Sequence, residues 1–165
     1  CIRDSLHESL DDEDEVLLAL AEELGTGLVE YIGGPKFAHL LLGPLENLAV
    51  VEETVVREKA CDSINQLAGI MSDQQIQNFY LPLLHRLSSG EWFTSRTSAA
   101  LLFASVYEKI PLSMRADVHS MFVSLCTDET PMVRRAAARD MSALVKRMSP
   151  EVVINEMLPL YRRLS

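Results

Sequence analysis

The chain has 165 residues, enough for one globular domain with a full core, so length alone excludes no fold class. Composition favours helices over strands, because 48% of the residues are hydrophobic but only 6% are aromatic, and leucine, valine, alanine and methionine dominate the apolar residues. The net charge of −9 disfavours nucleic acid and anionic membranes as partners, since phosphate binding needs clustered cations.

The negative charge is concentrated in the first 60 residues. There, 4 Lys/Arg stand against 14 Asp/Glu, a net of −10, whereas residues 61–165 carry 11 against 10, a net of +1. Toward the C-terminal end, basic residues recur with helical spacing, at Arg134, Arg135, Arg139, Lys146, Arg147, Arg162 and Arg163. Such a run is usually a solvated helix face, so we expect no nucleic-acid partner.

Nothing in the sequence indicates a membrane segment, a disulfide framework or a zinc site. No stretch reaches 18 uninterrupted apolar residues, and residues 1–10 lack a basic lead and an apolar signal core, so we expect a protein of the cytosol or nucleus with no membrane partner. Without a CxxC pair, Cys1, Cys61 and Cys126 are expected to be reduced, the last two in the core. Because helical patterns reach both ends, we expect a piece of a longer protein.

A repeat of about 39 residues organises the chain. One ladder of leucines has successive offsets of 38, 39, 38 and 39: Leu10, Leu48, Leu87, Leu125 and Leu164. In a second ladder, Leu-Pro-Leu at 81–83 recurs at 158–160, with Gly-Pro-Leu at 43–45. A third ladder pairs an arginine with an alanine three residues later, at Arg57, Arg96 and Arg134. Three ladders with one period predict a stack of similar units.

Each unit is predicted to fold as two helices. The repeat divides the chain into units of about 1–33, 34–71, 72–110 and 111–148, followed by a first helix at 149–165. A helical hairpin buries its apolar face only against its neighbours. The resulting nine helices are therefore expected to form a single all-α solenoid with the short loops along one edge.

Start signals predict where several helices begin. Gly33–Pro35 marks the first junction, because glycine frees the backbone and proline fixes φ for a helical first turn. Thr130–Pro131 predicts an N-cap followed by a second helix that runs through Leu144, and Ser149–Pro150 repeats this signal.

Three prolines fall inside first helices, at Pro44, Pro82 and Pro159. A proline inside an ordinary helix costs roughly 3 kcal/mol through a lost hydrogen bond and a clash. Their recurrence at one position of the repeat predicts a regular kink, and hence a regular curvature of the stack.

The spacing of Asp128 six residues before Arg134 resembles the HEAT repeat, in which such residues form a ladder between neighbouring units. The resemblance implies a right-handed α-α superhelix. Val51 and Gly90 occupy the Asp position before the other two arginines, so the expected ladder is incomplete.

Four segments resemble a more specific family, the scaffold (A) subunits of protein phosphatase type 2A: DEDEVLLALAEELGT at 12–26, VEETVVREKA at 51–60, EWFTSRTSA at 91–99 and DETPMVRRAAA at 128–138. The resemblance implies roughly the second to fifth repeats of a fifteen-repeat scaffold, plus the first helix of the sixth. It implies docking of regulatory B-type subunits on the loop side, and docking of the catalytic subunit only on the last repeats, which are absent here.

Several candidate binding residues lie where a loop meets a second helix. We expect Trp92, the only tryptophan, to contact a partner rather than pack locally, whereas Phe93 could turn either way. Asp128 and Arg134 are also candidates: Asp128 is expected to pair with Arg134 and cap its helix, a local role that does not exclude contact with a partner. The remaining candidates in this loop are Thr130, Pro131 and Met132.

The acidic candidates begin second helices, where carboxylates favourably oppose the helix dipole: Glu13, Asp14, Glu15, Glu52, Glu53 and Glu91. That local role could explain them fully. Alternatively, Glu15, Glu53 and Glu91, spaced 38 residues apart, form a stripe that meets a basic partner surface.

Signatures of enzymes are lacking in the sequence. His7, His39, His85 and His119 form no HExxH motif, and no GxSxG, GxGxxG or P-loop occurs, so we expect no catalytic, cofactor or metal site. The alternative to a phosphatase scaffold is a transport-type solenoid that binds peptide cargo or nucleic acid. Such a receptor needs rows of Trp and Asn or continuous basic rows, and this chain has one Trp and an acidic half.

Overall fold

The computed structural model describes residues 12–164, with side chains as far as Arg162. The predictions made for Cys1, His7 and Leu10, and for the side chains of Arg163 and Leu164, lie outside the described residues. Within residues 12–164 the chain is helical and contains no strand, which confirms the all-α prediction.

The first helices of the units form one layer. The first helix of the second unit is a 3-10 segment, Pro35–Leu41, that continues into α2, Leu42–Leu48. That of the third unit comprises α4, Asp73–Gln75, a π-helical turn, Ile76–Tyr80, and α5, Leu81–Ser88. The layer continues with α8, Leu112–Cys126, and ends with α10, Pro150–Val152, a π-helical turn, Val153–Met157, and α11, Leu158–Leu164.

The second helices form the other layer. It begins with α1, Asp12–Glu22, and its π-helical extension Glu23–Gly27. It continues through α3, Thr54–Ile70, then α6, Phe93–Ala100, and α7, Phe103–Val106 with a 3-10 turn, Tyr107–Lys109. It ends with α9, Pro131–Val145. In the second, third and fourth units the two helices pack on each other, and the helices of each layer pack on their counterparts in adjacent units, as expected for a solenoid.

The sequence ladders coincide with the core between the layers. The leucines of the first ladder that the structure describes, Leu48, Leu87 and Leu125, are buried. The alanines of the third ladder are fully buried, at Ala60, Ala99 and Ala137. One continuous apolar cluster runs through all the described units, because each unit completes the core of the next.

The helix geometry changes just before each predicted kink. Pro82 and Pro159 each lie two residues after the end of a π-helical turn, and Pro44 lies three residues after the end of a 3-10 segment. A proline removes one N–H and displaces the carbonyl one turn before it, so the preceding turn adopts another hydrogen-bonding pattern. The breaks in these first helices therefore have a local cause in the sequence.

The second-helix layer lies on the inner side of the bend. Arg139 on α9 approaches Glu58 on α3, with 3.7 Å between Nη1 and Oε1, although a whole unit separates these helices. The two side chains border a shallow hollow with Asp62, Leu101 and Asp140. Contact across an intervening unit requires the second helices to converge on this face.

Candidate functional site

The loops within the units form a continuous edge of the solenoid, which we call the loop edge: residues 49–53, 89–92 and 127–130 with the first turns of α3, α6 and α9. Hydrogen bonds join successive loops. Thr94 donates from Oγ1 to the Val50 carbonyl at 2.9 Å, and Arg96 donates from Nη2 to Thr130 Oγ1 at 3.2 Å. The loop edge is thus one connected surface.

Each loop is held by the arginine of its own unit. Arg57 donates from Nη1 to the carbonyls of residues 51 and 52, both at 2.8 Å. Arg96 does the same for residues 90 and 91, at 2.9 and 2.7 Å. Arg134 does so for residues 128 and 129, at 2.7 and 2.9 Å. Because the acceptors are backbone oxygens, replacing the family's Asp by Val51 or Gly90 leaves this clamp intact.

The predicted pairing of Asp128 with Arg134 is wrong. The carboxylate of Asp128 instead accepts from Arg96 of the preceding unit, at 2.7 Å from Nε and 3.2 Å from Nη2. Arg134 reaches only the backbone oxygen of Asp128, because its guanidinium folds under its own loop. The ion pair therefore links two units instead of capping one helix.

The charge state of Asp128 follows from these contacts. Burial disfavours its ionised form, but hydrogen bonds from Arg96 and from the Thr130 amide, 2.8 Å from Asp128 Oδ1, outweigh this and lower the pKa of the carboxyl. Thr130 occupies the N-cap of α9 as predicted, yet its hydroxyl makes no capping bond. It accepts from Arg96 instead.

An apolar depression of about 610 Å³ lies on the loop edge between the second and third units. Trp92, Phe93 and Met132 line it, with exposed fractions of 73%, 38% and 60%. Trp92 is the N-cap residue of α6 and points outward, so it does not pack against the start of its own helix. Pro131 begins α9 immediately before Met132 and is itself exposed.

The acidic candidates fall into two groups. Glu13, Asp14 and Glu15 form the first turn of α1, and both glutamates are exposed. Glu52 and Glu91 are exposed on the loop edge. Glu53 has a local role, because its Oε1 accepts from the Val55 amide at 3.2 Å and caps α3.

Sequence reasoning missed three residues that contribute to this surface. Arg57 is only 8% exposed but lines the depression, and Val50 and Val51 border it from the neighbouring loop. The regular spacing of the three arginines was a visible signal for Arg57. No signal in the sequence indicated that Arg57 lines the depression, since its position there depends on how two units pack.

Reactive side chains elsewhere are engaged in packing. Burial raises the pKa of the Cys61 thiol to about 12 and that of Cys126 to about 11, as in core cysteines. His119 is buried and bonded to Tyr107 Oη at 2.7 Å and Glu156 Oε2 at 2.8 Å. Within residues 12–164 no group of three metal-ligating side chains is close enough to hold an ion. In the same range, every helix is too short or too polar to cross a membrane.

Comparison with known proteins gives one consistent family. The chain is 48% identical over 161 residues to the A-type regulatory subunit of protein phosphatase PP2A from Schizosaccharomyces pombe, a match spanning 97% of this chain and 27% of the relative. It is 53% identical over 143 residues to the beta isoform of the human 65 kDa A-type regulatory subunit of serine/threonine-protein phosphatase 2A, spanning 86% of this chain and 23% of the relative.

A third relative carries a name that states a role. The protein phosphatase 2A scaffold subunit of Dictyostelium discoideum is 46% identical over 152 residues, which cover 92% of this chain and 26% of the relative. The chain thus spans about a quarter of the length of the curated relatives it matches. No family model matches it.

Proposed function

Because the chain belongs to the family of A-type regulatory subunits of protein phosphatase 2A, we propose that it is part of a non-catalytic scaffold that holds a regulatory B-type subunit on its loop edge. The solenoid positions this subunit relative to the catalytic subunit of the same complex. Rigid placement raises the effective concentration of one bound protein near another, so chosen substrates reach the phosphatase more often. This is scaffolding by geometry, without chemistry of its own.

The observation that carries the proposal is the exposed apolar depression. Monomeric proteins rarely leave a tryptophan, a phenylalanine and a methionine exposed side by side, and such patches mark interaction sites. Trp92, Phe93 and Met132 meet there, although they come from two units. Aromatic anchors within a polar rim carry most of the affinity in protein interfaces.

The acidic residues extend the proposed interface. Glu52 lines the depression, Glu91 is exposed just before Trp92 in the chain, and Glu13, Asp14 and Glu15 continue the acidic character to the first turn of α1. Exposed charges of this kind steer association more than they add affinity. We therefore assign them to recognition of basic residues at the margin of the regulatory subunit.

The remaining loop residues support this surface. Asp128 and Thr130 fix the third loop through Arg96, and Arg134 clamps its backbone. Pro131 sets the first turn from which Met132 projects. We propose that these residues orient the contact surface and that Met132 touches the partner.

The proposed interface on these units is for the regulatory subunit and not for the catalytic subunit. We propose that it binds repeats of the complete protein that this chain does not include. The chain itself would form one solenoid of about 1–33, 34–71, 72–110 and 111–148 plus a helix at 149–165, working in the cytosol or nucleus. No observation favours a transport-type solenoid, because the inner hollow carries Glu58, Asp62 and Asp140 beside a single arginine instead of a basic row.

The test compares two exposed aromatic residues on opposite edges. Trp92→Ala in the full-length protein is expected to weaken, at least tenfold, the binding of a purified regulatory B-type subunit measured by titration calorimetry. Tyr31→Ala is the control, because Tyr31 is 87% exposed in the junction between units on the other edge. The affinity for the catalytic subunit should be unchanged in both variants. If Trp92→Ala and the wild type bound the regulatory subunit with equal affinity, the proposed surface would be refuted.

A further inference from the structure

Arg57 and Arg96 hold the backbone of their own loops in the same way, through Nη1, but they differ at the outer edge of the guanidinium, formed by Nε and Nη2. Arg96 uses Nη1 to hold its own loop and uses Nε and Nη2 to bind the carboxylate of Asp128 in the following unit. Arg57 holds its loop in the same way, through Nη1. Its Nη2 reaches only the hydroxyl of Thr54, at 3.3 Å, and no carboxylate of the described residues pairs with it.

The missing carboxylate has a structural reason. The position equivalent to Asp128 in the third unit is Gly90, 38 residues earlier. A side chain cannot be added there without movement, since a Cβ on Gly90 would lie 2.8 Å from the Cβ of Ser95 and closer still to its hydroxyl. Ser95 is itself fixed by donating to the Leu87 carbonyl at 2.9 Å. This loop therefore cannot supply the partner that Arg96 has.

Arg57, whose outer edge pairs with no carboxylate in the described part of the chain, forms part of the wall of the depression. Arg57 is 8% exposed, yet it lines the depression together with Trp92, Phe93 and Met132. A guanidinium with so little contact to water forms its strongest hydrogen bonds with a carboxylate. Apolar residues around that carboxylate would keep water away from the pair. A partner that covers the depression would remove the remaining water from Arg57 and leave its charge uncompensated.

We propose that the partner docking here inserts one aspartate or glutamate side chain into the depression, where it pairs with the outer edge of Arg57 as Asp128 pairs with Arg96. This inference rests on the proposed function, and it specifies the chemistry of the partner: a single acidic residue flanked by apolar residues. An acidic run does not fit, because Glu52 lines the depression and Glu91 precedes Trp92 on the loop edge, and both are exposed carboxylates that would repel it.

Two variants of the full-length protein test the proposed pair between Arg57 and a carboxylate of the partner. One removes the cation, and the other occupies it with a carboxylate of the same chain. Arg57→Gln removes the cation. Gly90→Asp combined with Ser95→Gly supplies an internal carboxylate to Arg57 after removing both the hydroxyl and the Cβ that obstruct it, and keeps the loop clamp. Each is expected to bind at least tenfold more weakly to a purified regulatory B-type subunit, and Ser95→Gly alone is the matched control.

A double-mutant cycle identifies the partner residue. Each surface Asp or Glu of the regulatory subunit is changed to its amide and combined with Arg57→Gln. One acidic residue is expected to show a coupling of at least tenfold in affinity with Arg57 and none with Arg134→Gln. Thermal unfolding of every variant checks the fold, and the variant with the internal carboxylate is expected to melt at or above the temperature of Ser95→Gly.

The outcomes separate this inference from the proposed function. If the internal-carboxylate variant binds as tightly as Ser95→Gly, or if no acidic residue of the partner couples with Arg57, the acidic insertion is refuted. Should Trp92→Ala still weaken binding in that case, the docking surface stands and only its partner chemistry is wrong. Unchanged binding in Trp92→Ala as well would remove the docking surface itself.

Discussion

Arg96 and Asp128 join two successive units through two hydrogen bonds, of 2.7 Å from Nε to Oδ2 and 3.2 Å from Nη2 to Oδ1. Their side chains are 14% and 10% exposed, so water screens the pair only weakly. Arg96 also holds the backbone of its own loop. One side chain thus couples the shape of one loop to the position of the next.

Asp128→Asn is expected to destabilise the protein by about 2 kcal/mol, because it leaves a largely buried guanidinium without its carboxylate. The free energy of unfolding is measured by urea titration followed by circular dichroism. Glu129→Gln is the control, since Glu129 is the exposed neighbouring carboxylate and its loss should change stability by less than about 0.5 kcal/mol. Equal stabilities for the two variants would contradict a structural role for the pair.

The same pair predicts a pH dependence. The native pKa of Asp128 is lowered, so the unfolded chain binds the proton more tightly than the native protein does. The stability difference between wild type and Asp128→Asn should therefore be constant above the ordinary aspartate pKa of about 3.9 and shrink as the pH falls below it. Urea titrations at neutral pH and below pH 4 measure this difference. A stability difference that increases as the pH falls would contradict a lowered pKa for Asp128.

Much of the fold could be predicted from the sequence because the same pattern of core residues recurs in several units. Positions such as Leu48 and Leu87 recur at one spacing, and each is buried. The prolines marked the breaks in the first helices for a similarly local reason. The partner of Asp128 was misassigned because Arg134 is six residues away in the chain, whereas Arg96, 32 residues away, is brought close only by stacking of the units.

Tyr80→Phe tests another junction between units. The buried hydroxyl of Tyr80 donates to the Leu102 carbonyl at 3.0 Å and lies 3.1 Å from Ser105 Oγ and 3.3 Å from Asn65 Oδ1. Burial raises the pKa of this phenol, so it remains a neutral donor. Removal of the hydroxyl should lower the free energy of unfolding by about 1 kcal/mol, and the melting temperature should fall accordingly. Tyr31→Phe, at an exposed phenol, should leave the melting temperature unchanged, and equal effects would refute the prediction.

Two glycines are expected to respond to alanine with opposite signs. Gly34 has φ of 87° and ψ of −170°, a conformation that costs an L-residue about 1–3 kcal/mol, although nothing lies near its Cβ position. Gly69 lies in α3 with equally open space, so alanine there should stabilise by up to about 1 kcal/mol through lower entropy of the unfolded chain. Urea titration of Gly34→Ala and Gly69→Ala measures both. Stabilisation by both would show that the left-handed turn is not required.

The two core thiols should be inert in the native protein and reactive once their unit opens. Burial raises the pKa values of Cys61 and Cys126 to about 12 and about 11, and the thiolate is the reacting species. Iodoacetamide at pH 8 should therefore leave both unmodified over hours and label both in urea, as read by peptide mass spectrometry. Native labelling of either thiol at the rate of the urea-unfolded chain would contradict its burial.

The thiols also report whether the units open together. Cys61 lies on the second helix of the second unit and Cys126 ends the first helix of the fourth. Each unit completes the core of its neighbour, so we expect the two labelling rates to rise together as urea increases. In Asp128→Asn, which weakens only the junction between the third and fourth units, the Cys126 rate should rise at lower urea than the Cys61 rate. Identical labelling curves in that variant would mean that the pair does not control separation of the units.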